Sequence, residues 1–94
     1  MKLLAFEKEL QPKTGFDEDL LKAEAKRVLE LYEQGFIREI YFNKNNHSAV
    51  ILLECEGENE AKYILNSLPL VKEGKIAFEL IHLIPYDGFS RLLK

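Results

Sequence analysis

The 94 residues contain one cysteine, Cys55, so no internal disulfide can staple the chain and packing alone must hold it. Cys55 lies in an apolar stretch between Glu54 and Glu56. A reactive thiolate needs positive charge nearby, so this residue reads as a small buried hydrophobe. No apolar run reaches the roughly 18 residues of a membrane span, and the run within residues 1–7 is too short for a signal peptide. The expectation is a cytoplasmic protein with no membrane partner. No basic block occurs: 13 Lys and Arg are interspersed with 16 Asp and Glu, which argues against nucleic acid as a partner. The two histidines, His47 and His82, are far apart and have no close ligand spacing around them, so no metal site is expected. There is no glycine-rich phosphate loop and no nucleophile elbow. Without a linker, repeat or low-complexity tract, residues 1–94 form one domain.

What is present is a globular composition, 47% hydrophobic and 31% charged. A chain this short buries only about 60–65% of its unfolded surface, and association is one ordinary way to add to that. Two stretches point to it. In residues 75–84, strand geometry puts Ile76, Phe78, Leu80, His82 and Ile84 on one face and Ala77, Glu79, Ile81 and Leu83 on the other, and both faces are mostly apolar. Residues 48–55 have the same property. Antiparallel sheets usually receive cover on one face only.

Residues 2–8 read as a first strand, followed by a loop punctuated by Pro12 and Gly15. Asp17 is placed to cap a helix running to about Gln34, with Glu18 and Asp19 at its positive end, and Gly35 is placed to end it. At 100° per residue, Leu20, Leu31, Val28, Leu21, Tyr32, Ala25 and Leu29 gather on one arc, expected to face the core, and Glu24 is the one carboxylate inside it. Residues 36–43 and 48–56 form a hairpin about the polar turn 44–47. A shorter helix over 58–68 presents Ala61, Ile64, Leu65 and Leu68 and is expected to stop at Pro69, with residues 70–74 as a connection. The fourth strand follows and stops at Pro85. The tail carries Tyr86, Phe89, Leu92 and Leu93.

The order is βαββαβ, which predicts an α+β, ferredoxin-like sandwich with a four-stranded antiparallel sheet and both helices on one face. The other face would expose about 500 Å² of apolar surface, more than a monomer normally tolerates. Burying it would supply on the order of 10 kcal/mol before the costs of association. Two sheets packed face to face in a homodimer would do so, with the tail lying across the partner.

At this point the chain resembles the muconolactone isomerase-like proteins of the dimeric α/β-barrel superfamily. The resemblance covers roughly residues 21–82. It is carried by Leu21-Lys22-Ala23-Glu24, by Gly35 with Arg38, by His47 and Ala49, and by Leu68-Pro69-Leu70. It implies dimers that form an α/β barrel, possible larger rings of dimers, and a proton moved on a lactone without cofactor or metal. The sequence departs from the isomerase pattern where a second helix acid is replaced by Ala25 and in having no Trp.

Glu24 is the leading catalytic candidate. A carboxylate in apolar surroundings has a raised pKa, which suits a general base; the plain alternative is an edge carboxylate that reaches water. By the resemblance, Arg38 would clamp a substrate carboxylate and His47 would serve an enolate oxygen or relay a proton. Their alternatives are a salt bridge and an ordinary turn histidine. Tyr41 and His82 are substrate-binding candidates, or else hydrogen-bonded core residues. Glu7, Glu54 and Glu79 read as solvated or ion-paired strand carboxylates. The expected function is a cofactor-independent isomerase or lyase acting on a small lactone or carboxylate metabolite. The alternative is a non-catalytic ligand-binding or self-assembling protein on the same fold.

Overall fold

The computed structural model describes residues 1–12 and 14–93. In chain order the elements are β1 (Lys2–Glu9), α1 (Glu18–Glu33), β2 (Ile37–Phe42), β3 (Ala49–Glu54), α2 (Glu58–Asn66), α3 (Pro69–Lys72), β4 (Ile76–Leu83) and a terminal 3-10 turn (Gly88–Leu93). The strands form one antiparallel sheet in the order β2-β3-β1-β4, which is the ferredoxin-like arrangement expected from the sequence.

Register assigns the faces. Leu3 and Ala5 align with Leu53 and Ile51 on one side and with His82 and Leu80 on the other. These positions, with Ile37, form the helix-covered face, where Leu3, Ala5, Ile51 and Leu53 are fully or almost fully buried against Leu31 of α1 and Ala61, Ile64 and Leu65 of α2. Cys55 belongs to the same core. Alternation sends Leu4, Phe6, Val50, Leu52, Ile81, Leu83 and Tyr41 to the open face. Charged pairs frame this apolar strip: Lys2 with Glu54, and Lys8 with Glu79.

Three features differ from the sequence reading. Pro69 does not merely stop a helix. It occupies the first turn of α3, where the missing N–H of proline costs nothing. β2 contains a bulge between Ile37 and Glu39. Arg38 is the extra residue, and this is why Ile37, Ile40 and Phe42 share a face although simple alternation would separate them. Finally, α1 does not bury its whole apolar arc. Leu31 is buried, and Leu20, Glu24 and Val28 are half-buried, but Leu21 (40% exposed), Leu29 (56%) and Tyr32 (54%) face outward.

After β4 the chain leaves the sandwich. Ile84, Tyr86, Phe89, Leu92 and Leu93 are all strongly exposed, and Tyr86 meets Phe89 edge to face at 4.8 Å. The radius of gyration is 15.3 Å, against about 12 Å for a compact chain of this length; the projecting arm accounts for the difference.

Candidate functional site

Asp17 caps α1, its side chain accepting from the Asp19 N–H, and Gly35 at φ 87° closes it, a conformation that glycine adopts without a steric penalty. The helix so delimited packs against α3 and β2. This brings Glu24 toward the end of the sheet that carries Glu7, beside α3. The Leu70 N–H donates to Glu24 Oε1 at 2.9 Å. Leu70 lies in the first turn of α3, whose own N-cap, Leu68, has no side-chain acceptor. Glu24 thus caps a helix from which it is remote in sequence. Burial pushes its carboxyl above the usual carboxylate range. The bond from Leu70 pulls the other way, and the charge of Glu7 adds to the rise.

The sequence predicts Glu7 to be a solvated or ion-paired strand carboxylate. It is half-buried, and the Ala49 N–H donates to its Oε1 at 2.9 Å. The signal was available: Leu3, Ala5 and Glu7 alternate onto the same covered face. The acid whose charge reaches Glu24 therefore comes from β1, while the neighbouring helix position is Ala25.

The other candidates are dispersed. His47 lies in the β2–β3 turn at the same end of the sheet as Glu7. It holds φ 59° and stacks on Phe42 with ring centroids 3.9 Å apart and planes 17° from parallel. Arg38 stands at the other end of β2, about 13 Å away by strand rise, where its Nε donates to the Gly35 carbonyl at 2.9 Å. Tyr41 is on the open face, 62% exposed, and donates to Glu39 at 2.7 Å. That bond to a carboxylate raises its pKa, with the Glu39 charge adding to it. His82 lies at the far end of β4, its Nε2 3.6 Å from Glu58. Within one protomer the charge of Glu7 reaches Glu24, while Arg38, Tyr41 and His82 lie elsewhere.

The described clefts are shallow. The one with the most apolar walls, about 230 Å³, lies between α2, α3 and β4 and is lined by Glu58, Lys62, Leu65, Val71, Phe78 and Leu80, among others. Another cleft, at the end of the sheet that carries the N-terminus, includes Glu54, Cys55 and Glu60. Burial raises the Cys55 thiol there, the opposite of what a nucleophile needs. Among the described residues, no group of three or more His, Cys, Asp or Glu could hold a metal ion, and no helix is long and apolar enough to cross a membrane.

The chain shares its fold with muconolactone isomerase. The two superpose with a TM-score of 0.79 over 94% of this chain and 93% of the isomerase, at 14% sequence identity. The 5-chloro-2-hydroxyhydroquinone dehydrochlorinase of Burkholderia phenoliruptrix, solved with 2,5-dihydroxybenzoquinone, superposes with a TM-score of 0.64 over 94% of this chain and 98% of that one, also at 14% identity. No family model matches the sequence, and no curated protein matches it. At this identity the likeness is one of fold.

Proposed function

We propose that the chain is a cofactor-independent isomerase or lyase that moves a proton on a small lactone or carboxylate metabolite, in a homodimer whose open sheet faces pack together. The observation that carries this reading is the Glu24 carboxylate, half-buried, with its pKa raised by burial and in smaller part by the charge of a second acid, Glu7. A carboxylate with a raised pKa can take a proton next to a carbonyl and, once protonated, return it at another carbon. His47, at the same end of the sheet, is assigned the relay. Arg38, Tyr41 and His82 are assigned no contact with substrate at the Glu24 of their own protomer. The fold shared with an isomerase and a dehydrochlorinase supports the class of reaction.

The test is solvent-deuterium incorporation, followed by NMR, into a panel of small lactones and enolisable carboxylates. Exchange by the wild-type protein should fall by about 100-fold or more in Glu24→Gln. Wild-type rates in that variant, or no exchange with any compound, would reject the reading.

One observation favours a second reading, a non-catalytic self-assembling protein. Both acids already accept backbone N–H groups, from Leu70 and Ala49, and so latch α1 to α3 and β1 to β3. On that reading, Glu24→Ala would lower stability while no metabolite turned over.

A further inference from the structure

The helices do not cover the sheet evenly. Along the inward face of β4, Ile76 is buried, but Phe78 and Leu80 are only half-buried and His82 is exposed. Leu3, Ala5, Ile51 and Leu53, beneath the helices, are closed off. β4 is an edge strand, so no strand of this chain shelters that flank. Three elements wall the resulting cleft. Leu65 on α2, Val71 on α3 and Phe78 and Leu80 on β4 give it an apolar floor, and Glu58, Lys62 and Asn66 form its rim. These three stand four residues apart on α2, so one side of the helix presents them in a row. Neither Glu24 nor Glu7 is among the described residues that line it.

The rim and the volume identify a ligand. Lys62 pairs with Glu58 at 3.4 Å, with 60% and 49% of the two side chains exposed, and an ion pair in that setting is worth little. A ligand carboxylate can therefore replace Glu58 on the ammonium. Glu58 keeps a second basic neighbour, His82, whose Nε2 lies 3.6 Å away. The Asn66 amide has no hydrogen-bond partner among the described residues and can donate to the same carboxylate. With Lys62 and His82 beside a single acid, the rim favours an anion over a cation. The cleft holds about 230 Å³. A cavity of about 150 Å³ binds benzene, and drug-sized pockets begin at about 300 Å³, so the space suits one ring with a short polar substituent. Phe78 offers that ring an aromatic surface. We infer that the cleft between α2, α3 and β4 is a binding site for a monocyclic aromatic carboxylate, its charge held by Lys62 and Asn66 and its ring resting on Phe78, Leu80 and Val71. This site is separate from the one proposed at Glu24. Its end wall touches both: Val71 follows Leu70, whose N–H Glu24 accepts.

The experiment is a titration of the full chain with benzoate, followed by proton–nitrogen correlation NMR, with benzamide and benzylamine as its neutral and cationic counterparts. Benzoate should bind with a Kd of about 1 mM, a strength suited to a small ligand in an open cleft, and should move the amide signals of Leu65, Asn66, Val71 and Phe78. Benzamide should bind about fivefold more weakly, and benzylamine more weakly still. Lys62→Gln and Asn66→Ala, both at exposed positions, should each weaken benzoate about threefold or more, with folding checked by circular dichroism. Glu24→Gln, which keeps an acceptor for Leu70, should bind benzoate as wild type does. Loss in Glu24→Gln but not in Lys62→Gln would put the ligand at the other site and overturn the inference while leaving the proposed chemistry standing. Shifts scattered over the surface, binding of benzylamine as strong as that of benzoate, or no saturation by about 20 mM would also overturn it. Benzoate binding in the cleft, with no proton exchange on any metabolite, would uphold this site and reject the reading at Glu24.

Discussion

Glu24 accepts the Leu70 N–H while carrying the cost of a buried charge, and these two effects have different consequences under substitution. Its folded-state pKa lies above the unfolded value, near 4.5. Between the two values the folded chain binds more protons than the unfolded one. The stability contributed by this group is therefore complete below 4.5 and is lost as pH rises through the raised value. Glu24→Gln keeps an oxygen for Leu70 and removes the titration. It should leave the protein no less stable at neutral pH and flatten the pH dependence of Tm above 4.5, read by thermal melts across pH. Glu24→Ala loses the bond and should cost about 1 kcal/mol. Glu54 shows the opposite sign. Lys2 and the N-terminal amine bond to it and hold its pKa down, to about 2. Its contribution is present above the unfolded value and disappears only as pH falls toward 2. Cys55, with its thiol raised by burial, should react with a thiol reagent far more slowly in the native protein than after unfolding. The phase of α1 was enough to single out Glu24 from sequence. Its partner Glu7 was passed over because strand acids are usually solvated, although its alternation with Leu3 and Ala5 placed it inward.

At the scale of elements, start and stop signals were legible because they are local: Asp17 and Gly35 frame α1 where expected. What depends on neighbours was not. The arc of α1 looked uniformly core-facing because a helical wheel shows which residues share a face but not how much of that face the sheet covers. The bulge at Arg38 was invisible because an extra residue has no composition of its own. The Nε of that extra residue donates to the Gly35 carbonyl. The N-cap of α2 offers a test. Gly57 has extended backbone and no capping side chain, and nothing lies within 4 Å of where a Cβ would stand. Gly57→Ser should therefore stabilise the protein by about 0.5–1 kcal/mol, through the added cap and a less flexible unfolded chain, measured by urea denaturation.

For the whole molecule, the βαββαβ order was sufficient to predict the sheet and its covered face, because few topologies satisfy short, right-handed connections. The arrangement of candidate residues was not predictable in the same way, since sharing a pocket depends on packing angles that no motif records. The strand order also has a consequence during synthesis. β1 is made first but lies in the middle of the finished sheet, and its two neighbours are β3 and, last of all, β4. During synthesis β1 can pair with β3 but must wait for β4, the last of the four strands, and such long-range pairing is slow and exposes unpaired edges. Nascent chains stalled before Ile76 would present β1 with one naked edge. Those chains, rather than the released protein, are where chaperones should be found bound.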